Sequence, residues 1–163
     1  MTKSKRVLIS IILRLLAFGA TVAAMVVMVT SHDSAQAFNL TFTAKYSNDP
    51  VFKYFVIAEG IASAYSLIVL LITCSQKSSL WRFILILDLV IAMLLTSSIS
   101  AAAAIAHVGK KGNSHAGWLP ICGQVPKFCD HVSGALVAGF IAPILYLFIV
   151  LSSMHSVITH LFL

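Results

Sequence analysis

Residues 7–29, 54–73, 83–106 and 132–157 are almost continuously apolar, and each is about as long as the roughly 20-residue helix that crosses the hydrocarbon of a bilayer. Few folds accept four such runs in one short chain. Lipid offers no water to unpaired backbone groups, so a spanning segment must be a helix or part of a closed barrel, and the two-residue alternation of barrel strands is absent. The expectation is an all-α membrane protein, one four-transmembrane-helix bundle over residues 1–163. Charge content agrees: 10% of residues are charged, against about a quarter in a soluble domain. The basic "KSKR" before the first run resembles the start of a secretory leader, and "SHDSAQAF" offers a small-residue site. That run is too long for a leader and three more follow it, so it reads as a retained span.

The net charge of +6 sits mainly in short segments between the runs. That placement suits orientation in the bilayer and contact with anionic lipid. It does not suit nucleic acid, since no basic patch is interleaved with aromatic residues. Four spans put both termini on one side. Lys3, Lys5, Arg6, Lys77 and Arg82 would share that side, and Lys45, Lys53, Lys110, Lys111 and Lys127 the other. The first set is packed into shorter segments and three of its members precede the first span, which favours cytoplasmic termini. Two features of the opposite loops agree. Asn39-Leu40-Thr41 is a glycosylation sequon, usable only outside. Cys122 and Cys129 share the second long loop, where an oxidising exterior permits a disulfide.

Three charges lie within the spans. Asp88 is about 9 Å past the start of the third run and Arg14 about 10 Å past the start of the first. Odd-numbered spans run in the same direction, so the two are level. Each alone costs roughly 2.5–3.5 kcal/mol near the bilayer centre. Arginine can give a carboxylate two parallel hydrogen bonds, so an Arg14–Asp88 ion pair joining the first and third helices is expected. The bland alternative has Arg14 snorkelling to the interface and Asp88 protonated. Glu59, in the second run, shares its level with no cation. It reads as a structural group, protonated or hydrogen-bonded to small polar residues, more readily than as part of an ion or proton path.

Gly19 and Ala23, Gly60 and Ala64, Ala135 and Gly139 stand at the four-residue spacing that lets helices approach closely in lipid, within one bundle or between copies. Pro143 should kink the fourth helix near Gly139. The stretch "FNLTFTAKYSNDPVFKYF" is rich in aromatics, Tyr46 and Phe52 among them. These serve either as an interfacial belt or, on the sharper reading, as a surface for another protein. His115 and His131 flank the loop cysteines, but the spacing matches no zinc pattern and a disulfide is favoured. Cys74, at the end of the second run, is a site for palmitoylation or an idle thiol. Nucleophile, phosphate-loop, dinucleotide and metalloprotease motifs are all missing. No enzymatic activity, metal or cofactor is expected.

The stretches "LRLLAFGATVAAMVVM", "FTAKYSNDPVFKYFVIAEGIASAYSL", "LDLVIAMLLTSSISAAAA" and "GNSHAGWLPICGQVPKFCDHVSGAL" together resemble the CASP-like proteins of land plants, relatives of the Casparian strip membrane domain proteins. The match covers nearly the whole chain, and its nearest subgroup is the first, in the direction of the 1C branch. The family is similar to the MARVEL tetraspans. The resemblance implies plasma-membrane residence, cytoplasmic ends and assembly into homodimers or heteromers with related tetraspans. It maps the family's intramembrane Arg and Asp onto Arg14 and Asp88, and its second-loop Trp and paired Cys onto Trp118, Cys122 and Cys129. Trp118 thereby joins Tyr46 and Phe52 as a recognition residue. Root-barrier members build a platform that recruits cell-wall-modifying enzymes. The acidic stretch of their first outer loop is shortened here, so self-assembly is the firmer expectation. The implied function is a plasma-membrane scaffold; the alternative is a small oligomeric channel or transporter, for which Glu59 is the single polar handle.

Overall fold

The computed structural model describes the backbone of residues 3–37, 40–74 and 81–161. Four helices dominate it: α1 (Lys3–Thr30), α2 (Pro50–Cys74), α3 (Trp81–Lys111) and α4 (Pro126–Leu161). Each contains a stretch long and apolar enough to cross a membrane: Leu8–Thr30, Pro50–Ile72, Arg82–Lys111 and Pro126–His155. The protein is a multi-pass membrane protein with four spans. Asn39 and Lys77 lie outside the described residues.

The helices outrun the apolar stretches at ends where the sequence supplies a cap. The α2 helix starts at Pro50 because the Asp49 carboxylate accepts from the Val51 amide (2.8 Å) and proline suits the first helical position. The α4 helix starts at Pro126 for the same proline reason, and its second amide, Lys127, is capped by Asp33 from another element (3.2 Å). The α3 helix continues to Lys111, where Gly112 takes the left-handed conformation (φ 71°) that commonly ends helices.

Asp33 belongs to a two-stranded antiparallel hairpin, β1 (His32–Ala37) and β2 (Leu40–Lys45), with His32 opposite Lys45 and Ala37 opposite Leu40. The all-α bundle thus carries a small β element. The alternation of Leu40, Phe42 and Ala44 with Thr41, Thr43 and Lys45 is the period of a strand. The Asp33 contact docks the hairpin on the first turn of α4.

Around the bundle, α1 packs on α2 and α4, and α3 packs on the same two. One diagonal therefore joins α1 to α3 and the other α2 to α4. The inward face of α1 is Arg14, Ala17, Thr21, Ala24 and Met28, a spacing of three and four residues that follows the helical repeat. Outward stand Leu15, Leu16, Leu71, Phe83, Met93 and Leu147, all exposed and suited to lipid. The charged groups deep in the spans, Arg14, Glu59 and Asp88, all face inward, whereas a soluble bundle turns its charges outward. On the loop side the core is Phe52, Phe55, Ile99, Val125, Phe128 and Val132; on the side of the termini it is Ala17, Leu95, Ala142, Tyr146 and Ile149. Between them Gly139 lets α4 approach the other helices: a Cβ there would fall 2.9 Å from both Phe55 and Ile99. The α4 helix runs on through Pro143, whose missing N–H leaves the Gly139 carbonyl without its i+4 donor.

Candidate functional site

Arg14 and Asp88 meet inside the bundle. Arg14 Nη1 donates to Asp88 Oδ1 at 2.9 Å and Nη2 to Oδ2 at 2.6 Å, and the two side chains are 1% and 0% exposed. This is the two-pronged geometry that arginine offers and lysine does not. The pair spans the α1–α3 diagonal, between helices that do not otherwise pack as neighbours. Arg14 Nε finds no partner among the described residues.

A third helix completes the carboxylate. The Tyr65 hydroxyl, on α2, donates to Asp88 Oδ1 at 2.7 Å and lies 3.1 Å from the Ile84 carbonyl. One hydroxyl carries one proton, so the shorter contact to the charged oxygen takes most of it. Asp88 thus accepts three donors. Tyr146, on α4, sits beside Tyr65 with ring centroids 6.4 Å apart. Its hydroxyl lies 2.6 Å from Ser66 Oγ and 3.2 Å from the Ala62 carbonyl. Proton bookkeeping gives one consistent assignment: Ser66 donates to Tyr146, and Tyr146 donates to Ala62. Side chains from all four helices therefore converge at one level, with Arg14–Asp88 along one diagonal and Tyr146–Ser66 along the other.

Sequence reasoning missed both tyrosines. Tyrosine in membrane proteins is enriched near the interfaces, whereas Tyr65 and Tyr146 lie well inside their spans. A phenol that deep needs a partner for its hydroxyl, and that need was the available signal.

Glu59 is fully buried, and neither carboxylate oxygen has a hydrogen-bond partner among the described residues. Of the two alternatives for Glu59, hydrogen bonds to small polar neighbours are not made among the described residues. Ser63 donates instead to the Gly60 carbonyl, Thr21 to Phe18 and Ser98 to Leu95. Each hydroxyl is spent on its own helix.

On the loop side, Cys122 and Cys129 form a disulfide, which leaves the zinc reading without thiolate ligands. The three recognition residues part company. Trp118 is 58% exposed. Tyr46 is half-buried against the core. Phe52 is a correction: it is 5% exposed and packs edge-to-face on Phe128, centroids 6.1 Å apart. The early start of α2 carries Phe52 onto the helix, on the inward face with Phe55 and Glu59, where no partner protein can reach it.

Four spanning helices, a charge pair held across one diagonal and a tyrosine across the other define a tetraspan membrane bundle with a polar clasp. Residues 3–145 match the Casparian strip membrane protein domain, and the chain belongs to that family. It is 64% identical to a CASP-like protein 1C2 of Ricinus communis, over 94% of this chain and 92% of the relative. It is 62% identical to a CASP-like protein 1C3 of Populus trichocarpa, over 99% and 98%, and 55% identical to a CASP-like protein 1C1 of Arabidopsis thaliana, over 91% and 89%. The resemblance read from the sequence, including its 1C branch, is borne out. No solved structure matches the chain.

Proposed function

We propose that the protein is a non-enzymatic plasma-membrane scaffold, with cytoplasmic termini and loops toward the cell wall, that assembles with copies of itself or with related tetraspans. The observation that carries this reading is the use to which the interior polar groups are put. Arg14, Asp88 and Tyr65 hydrogen-bond to one another and Ser66 to Tyr146 beside them, so these interior polar groups serve to tie the four helices together. Assembly is supported by a lipid-facing groove of about 640 Å³ between α3 and α4, lined by Ala92, Thr96, Ser100, Pro143 and Leu147 among others. Small side chains at four-residue spacing there admit a neighbouring helix closely.

Photobleaching recovery of a tagged copy tests the reading, together with cysteine crosslinking from Ser97→Cys and Ile144→Cys at the groove rim. A scaffold recovers slowly and crosslinks into dimers or higher species. A freely diffusing monomer that never crosslinks counts against it. The second reading, a small oligomeric channel, is favoured by one observation only, that Glu59 has no partner among the described residues. Reconstituted flux abolished by Glu59→Gln would support that one instead.

A further inference from the structure

The loop end of α3 carries a feature that lipid contact does not explain. Measured from the Arg14–Asp88 level, α1 rises about 24 Å to Thr30 and α3 about 35 Å to Lys111. Exposed Arg82 lies about 9 Å to the other side of that level. A hydrocarbon layer of about 30 Å beginning there ends about 21 Å above Asp88. Lys111 then stands about 14 Å past the hydrocarbon, beyond a headgroup layer of about 5–8 Å. The tip is out of reach of the interfacial belt that aromatics near a membrane usually form.

The tip is also built to hold a shape. Asn113 and Trp118 exchange two backbone hydrogen bonds, 2.8 and 2.9 Å. The Asn113 side chain accepts from the Ala116 amide, and Gly117 (φ 70°) turns the chain between them. A Cβ on Gly112 would come within 2.6 Å of the Trp118 carbonyl. The Ile121 and Cys122 amides both reach the Gly109 carbonyl, and Cys122 is bonded to Cys129. This frame presents Trp118 and, 84% exposed, Leu119, next to exposed Lys110 and Lys111. Between residues 107 and 129 there are three lysines and no carboxylate. The next acid in the chain, Asp130, follows within α4, and Asp33 is occupied as a cap on the first turn of that helix.

We propose that this tip binds an acidic polysaccharide, whose uronate rings offer a flat C–H face to Trp118 and Leu119 and carboxylates to Lys110 and Lys111. An exposed apolar patch outside the lipid marks a binding surface, and indole supplies a large rigid face for one. The cationic surround selects a polyanion. A polymer strand can lie across protruding side chains and needs no cleft. Single-stranded nucleic acid fits less well, since it stacks successive bases on several aromatics and the tip has one. The proposal rests on the reading that the loops face the cell exterior, where such polymers are met.

The test uses the full chain in nanodiscs of uncharged lipid, titrated with oligogalacturonate. Both faces of a nanodisc are open, so binding is read independently of orientation and of self-assembly. The chain has two tryptophans, so Trp81→Phe leaves Trp118 as the reporter. The expected result is a saturable change in Trp118 emission that a neutral oligosaccharide of equal length does not produce and that salt weakens. The Lys110→Gln/Lys111→Gln double variant, and Trp118→Ala followed by calorimetry, should each weaken binding about tenfold. All these residues are exposed, and Trp118→Phe should keep most of the affinity, which separates lost contact from lost fold. No saturable change, or binding indifferent to the substitutions, overturns the proposal. Equal binding to polyglutamate or to anionic vesicles overturns the polysaccharide assignment.

Discussion

The two terminal nitrogens of Arg14 and the two carboxylate oxygens of Asp88 pair one to one across the α1–α3 diagonal, at 2.9 and 2.6 Å. Neighbouring helices in a bundle can hold together by packing alone. Helices on a diagonal stand farther apart across the core, and α1 and α3 are not a closely packed pair. A long side chain carrying a directional charge is one of few devices that reaches, and Arg14 is among the largest fully buried side chains of the described residues.

Removing one partner strands the other in the interior. Asp88→Asn should therefore cost about 3–5 kcal/mol, measured as a drop in thermal stability in detergent and as poor surface delivery of a tagged copy. Replacing both residues by apolar ones of similar volume, Arg14→Met with Asp88→Leu, should recover most of that loss. Exchanging the charges should recover less, because Tyr65 would then face a guanidinium in place of its acceptor. A single Asp88→Asn variant as stable as the parent shows the pair to be dispensable.

Tyr65→Phe removes one donor from a charged acceptor. Such bonds contribute about 1.5–3 kcal/mol in water-soluble proteins, and interhelical bonds in membranes average nearer 0.6 kcal/mol. The expected loss lies between these. Tyr146→Phe should cost less, since Ser66 can turn to a carbonyl of its own helix. Melting the two variants side by side checks the order.

The ranking of what was readable follows from these contacts. Four apolar runs and the equal depths of Arg14 and Asp88 are visible in one dimension, because helix rise converts position directly to depth. Tyr65 and Tyr146 were hidden because their partnership depends on how α2 and α4 are rotated, which spacing does not state. Phe52 was misplaced for a local reason: Asp49-Pro50 starts the helix four residues before the apolar run and carries Phe52 into the core. The hairpin is written in the alternation of Leu40, Phe42 and Ala44 with polar residues, but the period is short and the aromatics of the same loop carry the stronger signal, that of a membrane interface.

Gly139→Ala should destabilise by about 1–3 kcal/mol, the usual range for overpacking, because its Cβ meets Phe55 and Ile99 at 2.9 Å. Gly60→Ala is the control. Its Cβ meets only Met25 Sδ, at 3.6 Å, an ordinary contact. Equal melting temperatures for the two variants would contradict the packing described.

Glu59→Met should raise stability by about 1–3 kcal/mol, the cost ordinarily attached to a buried polar group without a partner. Thermal unfolding in the same detergent reads it. A destabilised variant means that Glu59 has a partner in the membrane, and a stabilised variant that no longer assembles or localises gives the residue a functional role.

Serine at both Cys122 and Cys129 should lower stability by about 2.5 kcal/mol on the chain-entropy estimate for a loop of this size. It should also make the parent's sensitivity to reductant disappear. Mass spectrometry after alkylation without reductant offers a direct check: two labelled thiols in this loop would refute the bridge.

The clasp also sets an order of events during biogenesis. Arg14 emerges from the ribosome 74 residues ahead of Asp88, an interval of about 4–15 s at ordinary translation rates of about 5–20 residues per second. Throughout that interval the first helix carries an uncompensated cation, so it is better sheltered at the insertion machinery than released into lipid. The clasp can close only once the third helix arrives, and a nascent chain that stalls before residue 88 leaves Arg14 without its counter-charge.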